Sequence, residues 1–150
     1  NNEVLRELTG FLKAGGTPVV VVNRLQLTKT STQRRLAEEL NTFMKAWSKA
    51  WESGNSKTFM SHYSNDFING DGMNYQAFKR QKERVNSGKK FIRVQIDNPA
   101  ILLAQEEREQ IAVFRFTQRY RSNNFESNSR KIFYLKKGQA GWQIIGESRL

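Results

Sequence analysis

Apolar residues fall at helical spacing in the first part of the chain and at alternate positions in the second, which predicts helices first and strands after. Val4, Leu5, Leu8, Phe11 and Leu12 predict a short helix over residues 3–14, stopped by Gly15-Gly16. Val19-Val20-Val21-Val22 is a β-branched run, read as a buried strand. Over 31–53, Leu36, Leu40, Phe43, Met44, Trp47 and Trp51 form one stripe of a long helix. Thr30 and Gln33 supply a capping box at its start, and Gly54 ends it. A shorter helix starts near Asn55-Ser56, carries Phe59, Met60 and Tyr63, and gives way by Asp66-Phe67. Gly70-Asp71-Gly72 is a turn. Asn74 caps a third helix running to about Val85, with Met73 and Phe78 spaced as a hydrophobic staple.

After Gly88 the period becomes two. Ile92, Val94 and Ile96 alternate with Arg93, Gln95 and Asp97 in a half-buried strand, and Asn98-Pro99 reads as a turn into a second strand over 100–105. Residues 106–109 read as a charged turn. The strand predicted over 110–122 puts Ala112, Phe114, Phe116 and Tyr120 on one face and Ile111, Val113, Arg115, Thr117, Arg119 and Arg121 on the other. Two more strands follow, over 130–137 and 142–146, separated by a tight turn at 138–141. The order defines an α+β domain, three N-terminal helices packed in a strongly curved antiparallel sheet. A sheet curled around a long amphipathic helix leaves a concave space, where a ligand would sit. Residues 1–30 read as a lead-in from an upstream domain and residues 31–150 as the domain itself.

Composition narrows the chemistry. The chain has 150 residues and no cysteine, which excludes a disulfide framework and a thiol nucleophile, and its single histidine excludes a multi-histidine metal site. No cofactor is expected. No apolar run approaches the ~20 residues of a membrane span. The net charge of +11, from 25 basic and 14 acidic residues, favours an anionic neighbour, or marks only a soluble basic protein. Residues 79–93 concentrate that charge at a helix C-terminus, where cations suit the dipole. No nucleic-acid-binding signature accompanies them, so nucleic acid is not the expected partner.

Several residues are candidates for a site, each with a plainer reading. Trp47 and Trp51, one helical turn apart, either floor a pocket or belong to the core. Arg115, Arg119 and Arg121 share a strand face at spacings of about 7 Å per two residues. If that face is concave they form a row of guanidinium forks for carboxylate or phosphate; if convex, they are solvated. Tyr120 and Tyr134 could add hydroxyls from the other face or simply pack, and Tyr63 lies beside His62. His62 precedes Asp66 by one turn of the predicted helix, so the pair could act as acid and base, or His62 is a surface residue near a helix end.

Certain phrases carry a resemblance. Ala46-Trp47-Ser48-Lys49-Ala50-Trp51-Glu52-Ser53-Gly54 and His62-Tyr63-Ser64-Asn65-Asp66-Phe67 resemble the nuclear transport factor 2-like (NTF2-like, SnoaL-like) superfamily. Lys90-Phe91-Ile92-Arg93-Val94, Phe116-Thr117-Gln118-Arg119-Tyr120-Arg121-Ser122 and Gly141-Trp142-Gln143-Ile144-Ile145-Gly146-Glu147 resemble more narrowly the C-terminal domain of bacterial YkuD-type L,D-transpeptidases and L,D-carboxypeptidases. The resemblance implies a cone-shaped fold and a periplasmic or cell-envelope setting. It further implies a non-catalytic domain that binds peptidoglycan or a muropeptide beside an upstream cysteine-dependent catalytic domain. Trp47, Trp51, Tyr63, Arg115, Arg119, Tyr120, Arg121 and Tyr134 are the expected ligand contacts. The alternatives are a free-standing small-molecule dehydratase or isomerase using His62 and Asp66, and a scaffolding domain that forms a homodimer through the open sheet face.

Overall fold

A computed structural model describes residues 17–23, 31–106 and 109–149, without the side chains of 17–23, 31, 32, 105 and 106. The predicted helix over 3–14, the Thr30 cap and the middle of the 106–109 turn lie outside the described residues.

Strand β1 (Thr17–Asn23) is the predicted valine run. Helix α1 (Ser31–Ser53) follows, a rod of about 34 Å at 1.5 Å per residue. Leu36, Leu40, Met44, Trp47 and Trp51 are all buried, as their spacing requires. The helix ends where Gly54 takes φ +74, and the Gly54 N–H donates to the Trp51 carbonyl. Helix α2 (Ser56–Met60) is capped by Asn55, whose Oδ1 accepts from the Thr58 N–H at 3.1 Å.

Beyond Met60 the prediction and the structure part. Tyr63 does not continue the helix; it opens strand β2 (Tyr63–Ile68). Tyr63 and Phe67 are both buried. An offset of four is compatible with one helical turn and with two strand repeats, so periodicity alone could not separate them. Helix α3 (Tyr75–Asn86) starts as expected at Asn74, which accepts from the Ala77 N–H at 3.0 Å.

Four strands complete the chain: β3 (Ile92–Glu106), β4 (Glu109–Ser122), β5 (Glu126–Gly138) and β6 (Gly141–Arg149). The sheet order is β1-β3-β4-β5-β6-β2. Asn98-Pro99 is not a turn between two strands. Asp97 pairs with Thr117 and Ala100 with Arg115, so β3 holds one extra residue and continues through a bulge, with Asn98 at φ +51. The sheet is not wholly antiparallel either, because β2 lies parallel to β6. Nor do the three helices form one block before it, since β1 precedes them and β2 interrupts them.

The curved sheet closes over α1. Its inner face brings Ile101, Leu103, Phe114, Phe116, Phe133, Leu135 and Ile144 against the helix stripe. Each such burial contributes about 1.5–3 kcal/mol. Trp47 sits at the centre, edge-on to Phe133 at 5.1 Å, and its Nε1–H donates to the Tyr63 hydroxyl at 2.9 Å.

Candidate functional site

The expected arginine row lies on the outer face. Phe114, Phe116 and Tyr120 point inward, so Arg115, Arg119 and Arg121, at the intervening positions, point away from α1 and are exposed. Arg119 is ion-paired with Asp97 on β3, and the guanidiniums of Arg93 and Arg121 lie 5.4 and 5.7 Å from the centre of the Phe91 ring. Arg119 and Arg121 border a broad hollow of about 1110 Å³ beside the polar flank of α1; Arg115 does not. Glu52 and Glu126 share that hollow, so its charge is mixed.

The other expected contacts scatter. Trp47 and Tyr63 bond to each other inside the core and do not line that hollow. Burial pushes the Tyr63 phenol well above its ordinary value. Tyr134 pairs with Val113, which places it on the arginine face and not opposite it. His62 and Asp66 do not meet. The imidazole Nδ1 faces the Thr58 and Phe59 carbonyls at 3.1 and 3.2 Å, while Asp66 is exposed on β2. Among the described residues no three His, Asp or Glu side chains gather to hold a metal ion. No described helix is long and apolar enough to cross a membrane.

Trp51 and Tyr120 do come together, their rings 5.3 Å apart, in a second cavity of about 370 Å³. It opens where α1 ends, between α3 and the far end of the sheet's inner face. Register explains its chemistry. The inner side of β4 runs Phe114, Phe116, Gln118, Tyr120, and the paired inner side of β5 runs Phe133, Lys131, Ser129, Ser127. The same face is therefore apolar at one end and polar at the other.

Lys131 is buried and meets Glu147 of β6 at 3.5 Å. Lys82 of α3 comes from the opposite wall, its ammonium 4.2 Å from the centre of the Trp51 ring; Lys131 approaches the same ring at 5.7 Å. Lys89 and Arg149 also line the cavity, the Lys89 ammonium donating to Asn124 Oδ1 at 2.6 Å. Burial, then the Lys131 charge, lowers the Lys82 amine to about 7. Burial also lowers Lys131, against the pull of Glu147. Two further polar atoms, Trp51 Nε1 and Gln118 Oε1, are buried here without a hydrogen-bond partner. A site of this kind suits an oxyanion, which would balance the positive charge of Lys82 and Lys131.

Lys131, Glu147 and Arg149 were missed by the reading of the sequence, and Lys82 entered it only as part of the basic run over 79–93. Lys131 carried a signal, since it keeps phase with buried Phe133 and Leu135. Glu147 and Arg149 carried none. Trp142 and Ile144 face inward, but an irregularity between Tyr134 and Leu135 skips Ile145 and shifts the phase before Glu147.

The fold defines a small α+β domain, a curved sheet closed over one long helix. Residues 39–148 match the family described as the Cds6 C-terminal NTF2-like domain, and the chain belongs to that family. Among solved structures it is similar to Bd1075 of Bdellovibrio bacteriovorus, at 23% identity and a TM-score of 0.67, covering 81% of this chain and 42% of that one. It is also similar to a mutant of the helical cell shape determining protein Pgp2 from Campylobacter jejuni. That match has 22% identity and a TM-score of 0.70, and covers 77% of this chain and 41% of the other. An NTF2-like protein of unknown function from Pseudomonas putida KT2440 matches at 11% identity and a TM-score of 0.61, over 75% of this chain and 83% of its own. The chain thus spans about two fifths of the length of the first two, and these likenesses show the fold. No curated protein sequence matches it.

Proposed function

We propose that this chain is a non-catalytic, ligand-binding accessory domain of a peptidoglycan-modifying enzyme of the cell envelope, and that an anionic group of the wall peptide enters the Lys82–Lys131 cavity. The observation that carries the reading is the cavity's composition: Lys82, Lys89, Lys131 and Arg149 line it, Glu147 pairs with Lys131, and the Trp51 N–H is buried beside them without an acceptor among the described residues. Peptidoglycan stem peptides carry free carboxylates. The cell-shape role in the name of Pgp2 supports the setting, as does the resemblance to domains joined to L,D-transpeptidases and L,D-carboxypeptidases. On this reading the reaction itself belongs to a domain upstream.

Titrating soluble muropeptides into the isotopically labelled domain tests it. Resonances of the Trp51 indole and of Gln118 and Lys131 should move. Those of Trp51 and Gln118 should stay still in the double variant Lys131→Met/Glu147→Gln, which removes the buried pair without stranding a charge. A wild-type domain whose cavity resonances ignore muropeptides would overturn the reading.

A second reading concerns assembly. The outer face of β3–β5 carries Leu102, Ile111, Val113 and Tyr134, all only half-buried. A second copy of the chain would cover them. Sedimentation over a range of concentrations decides, and a strict monomer would dismiss it.

A further inference from the structure

Resting on the reading of this cavity as an anion site, we propose that anion entry is coupled to proton uptake at Lys82, so the site holds its ligand at acidic and neutral pH and releases it in alkali.

The geometry supplies the coupling. Lys82 is half-buried as a residue, but its ammonium end is the part tucked against Trp51, with Phe78 also near at 5.5 Å. It forms no ion pair among the described residues. The groups that face it are Lys131 on β5, Glu147 and Arg149 on β6, and Lys89 and Tyr120 at the cavity wall. Glu147 is already engaged by Lys131. On α1, the Glu52 carboxylate is turned to the Val94 N–H at 2.8 Å and serves β3 instead.

An under-compensated cation in such a place has two routes to relief: it loses its proton, or it gains an anion. The low proton affinity that burial gives Lys82 is the first route. An oxyanion seated between Lys82 and Lys131 is the second, and it restores the proton. The two events are then linked, each favouring the other by the same factor.

The test measures binding of two probes whose charge is constant from pH 6 to 9: sulfate, and an N-acetylated tripeptide with a free C-terminal carboxylate. If only charged Lys82 binds, wild-type Kd should weaken about a hundredfold between pH 6 and pH 9. Near pH 8 the calorimetric heat should change with the ionisation enthalpy of the buffer, reporting a proton taken up. Lys82→Arg, which stays charged, should bind at pH 9 nearly as at pH 6. Lys82→Met should bind weakly at both.

Binding of either probe with this profile supports the coupling, and the peptide alone narrows the ligand to a carboxylate. Wild-type affinity independent of pH would overturn the coupling while leaving the anion site standing. So would a pH dependence that persists in Lys82→Arg, which would place the proton on Lys131. Failure of the wild type to bind either probe at pH 6 would overturn the anion-site reading itself.

Discussion

The ammonium of Lys82 lies 4.2 Å from the centre of the Trp51 ring, although the two residues belong to different helices and stand thirty-one positions apart. The ring's negative face stabilises the cation, while its bulk keeps water from it. Burial wins, since the amine sits at about 7 against an ordinary 10.5. An unfolded chain therefore binds this proton more tightly than the folded one, and between about pH 7 and 10.5 stability rises with pH on account of Lys82.

From this follows the first expectation. Lys82→Met, which keeps the stem's packing on Trp51 and deletes the charge, should stabilise the ligand-free protein by about 1–2 kcal/mol at pH 6. The gain should shrink toward pH 9, where the wild-type amine is already neutral. Urea unfolding at the two pH values measures it; an equal effect at both would show that charge is not the cause.

The Lys131–Glu147 pair should behave in the opposite sense. Both side chains are less than a tenth exposed. Glu147→Gln strands a buried cation and should cost about 3–5 kcal/mol. Adding Lys131→Met should recover most of that loss. Denaturation of both single variants and the double variant closes the cycle, and strict additivity would refute the pairing.

Tyr63→Phe removes the acceptor of the Trp47 indole N–H in the centre of the core. The shape hardly changes, so the expected loss of about 1–3 kcal/mol comes from an unsatisfied buried donor. Equilibrium unfolding measures it. Because the Tyr63 phenol is raised by burial, the unfolded chain ionises first in alkali, and stability should fall above about pH 10. Tyr63→Phe should flatten that fall.

Arg119→Ala separates the two candidate anion sites. Arg119 is 57% exposed and its pairing with Asp97 lies on the outer face, so its loss should change stability by under about 1 kcal/mol. Muropeptide and sulfate binding should be unchanged. Loss of binding in this variant would return the site to the outer arginine row.

Much of the secondary structure was legible because local forces dominate it. The α1 stripe from Leu36 to Trp51, the Asn74 cap of α3 and the two-residue alternation of β4 each follow from spacing alone. The failures share one origin. Tyr63 and Phe67, the Asn98-Pro99 bulge and the phase shift before Glu147 are each decided by a partner strand that is distant in sequence.

The sequence by itself determined which residues α1 buries, and that Phe114, Phe116 and Tyr120 oppose Arg115, Arg119 and Arg121. Those properties depend on neighbours a few residues apart. It could not say which of two strand faces turns toward α1, nor that Lys82, Lys131 and Arg149 converge on Trp51. That choice was made by the tertiary structure, because burying the phenylalanines against α1 leaves the arginines no side but the outer one. The same pairing carries Lys131 inward with Phe133, to the side of Trp51 that Lys82 also approaches.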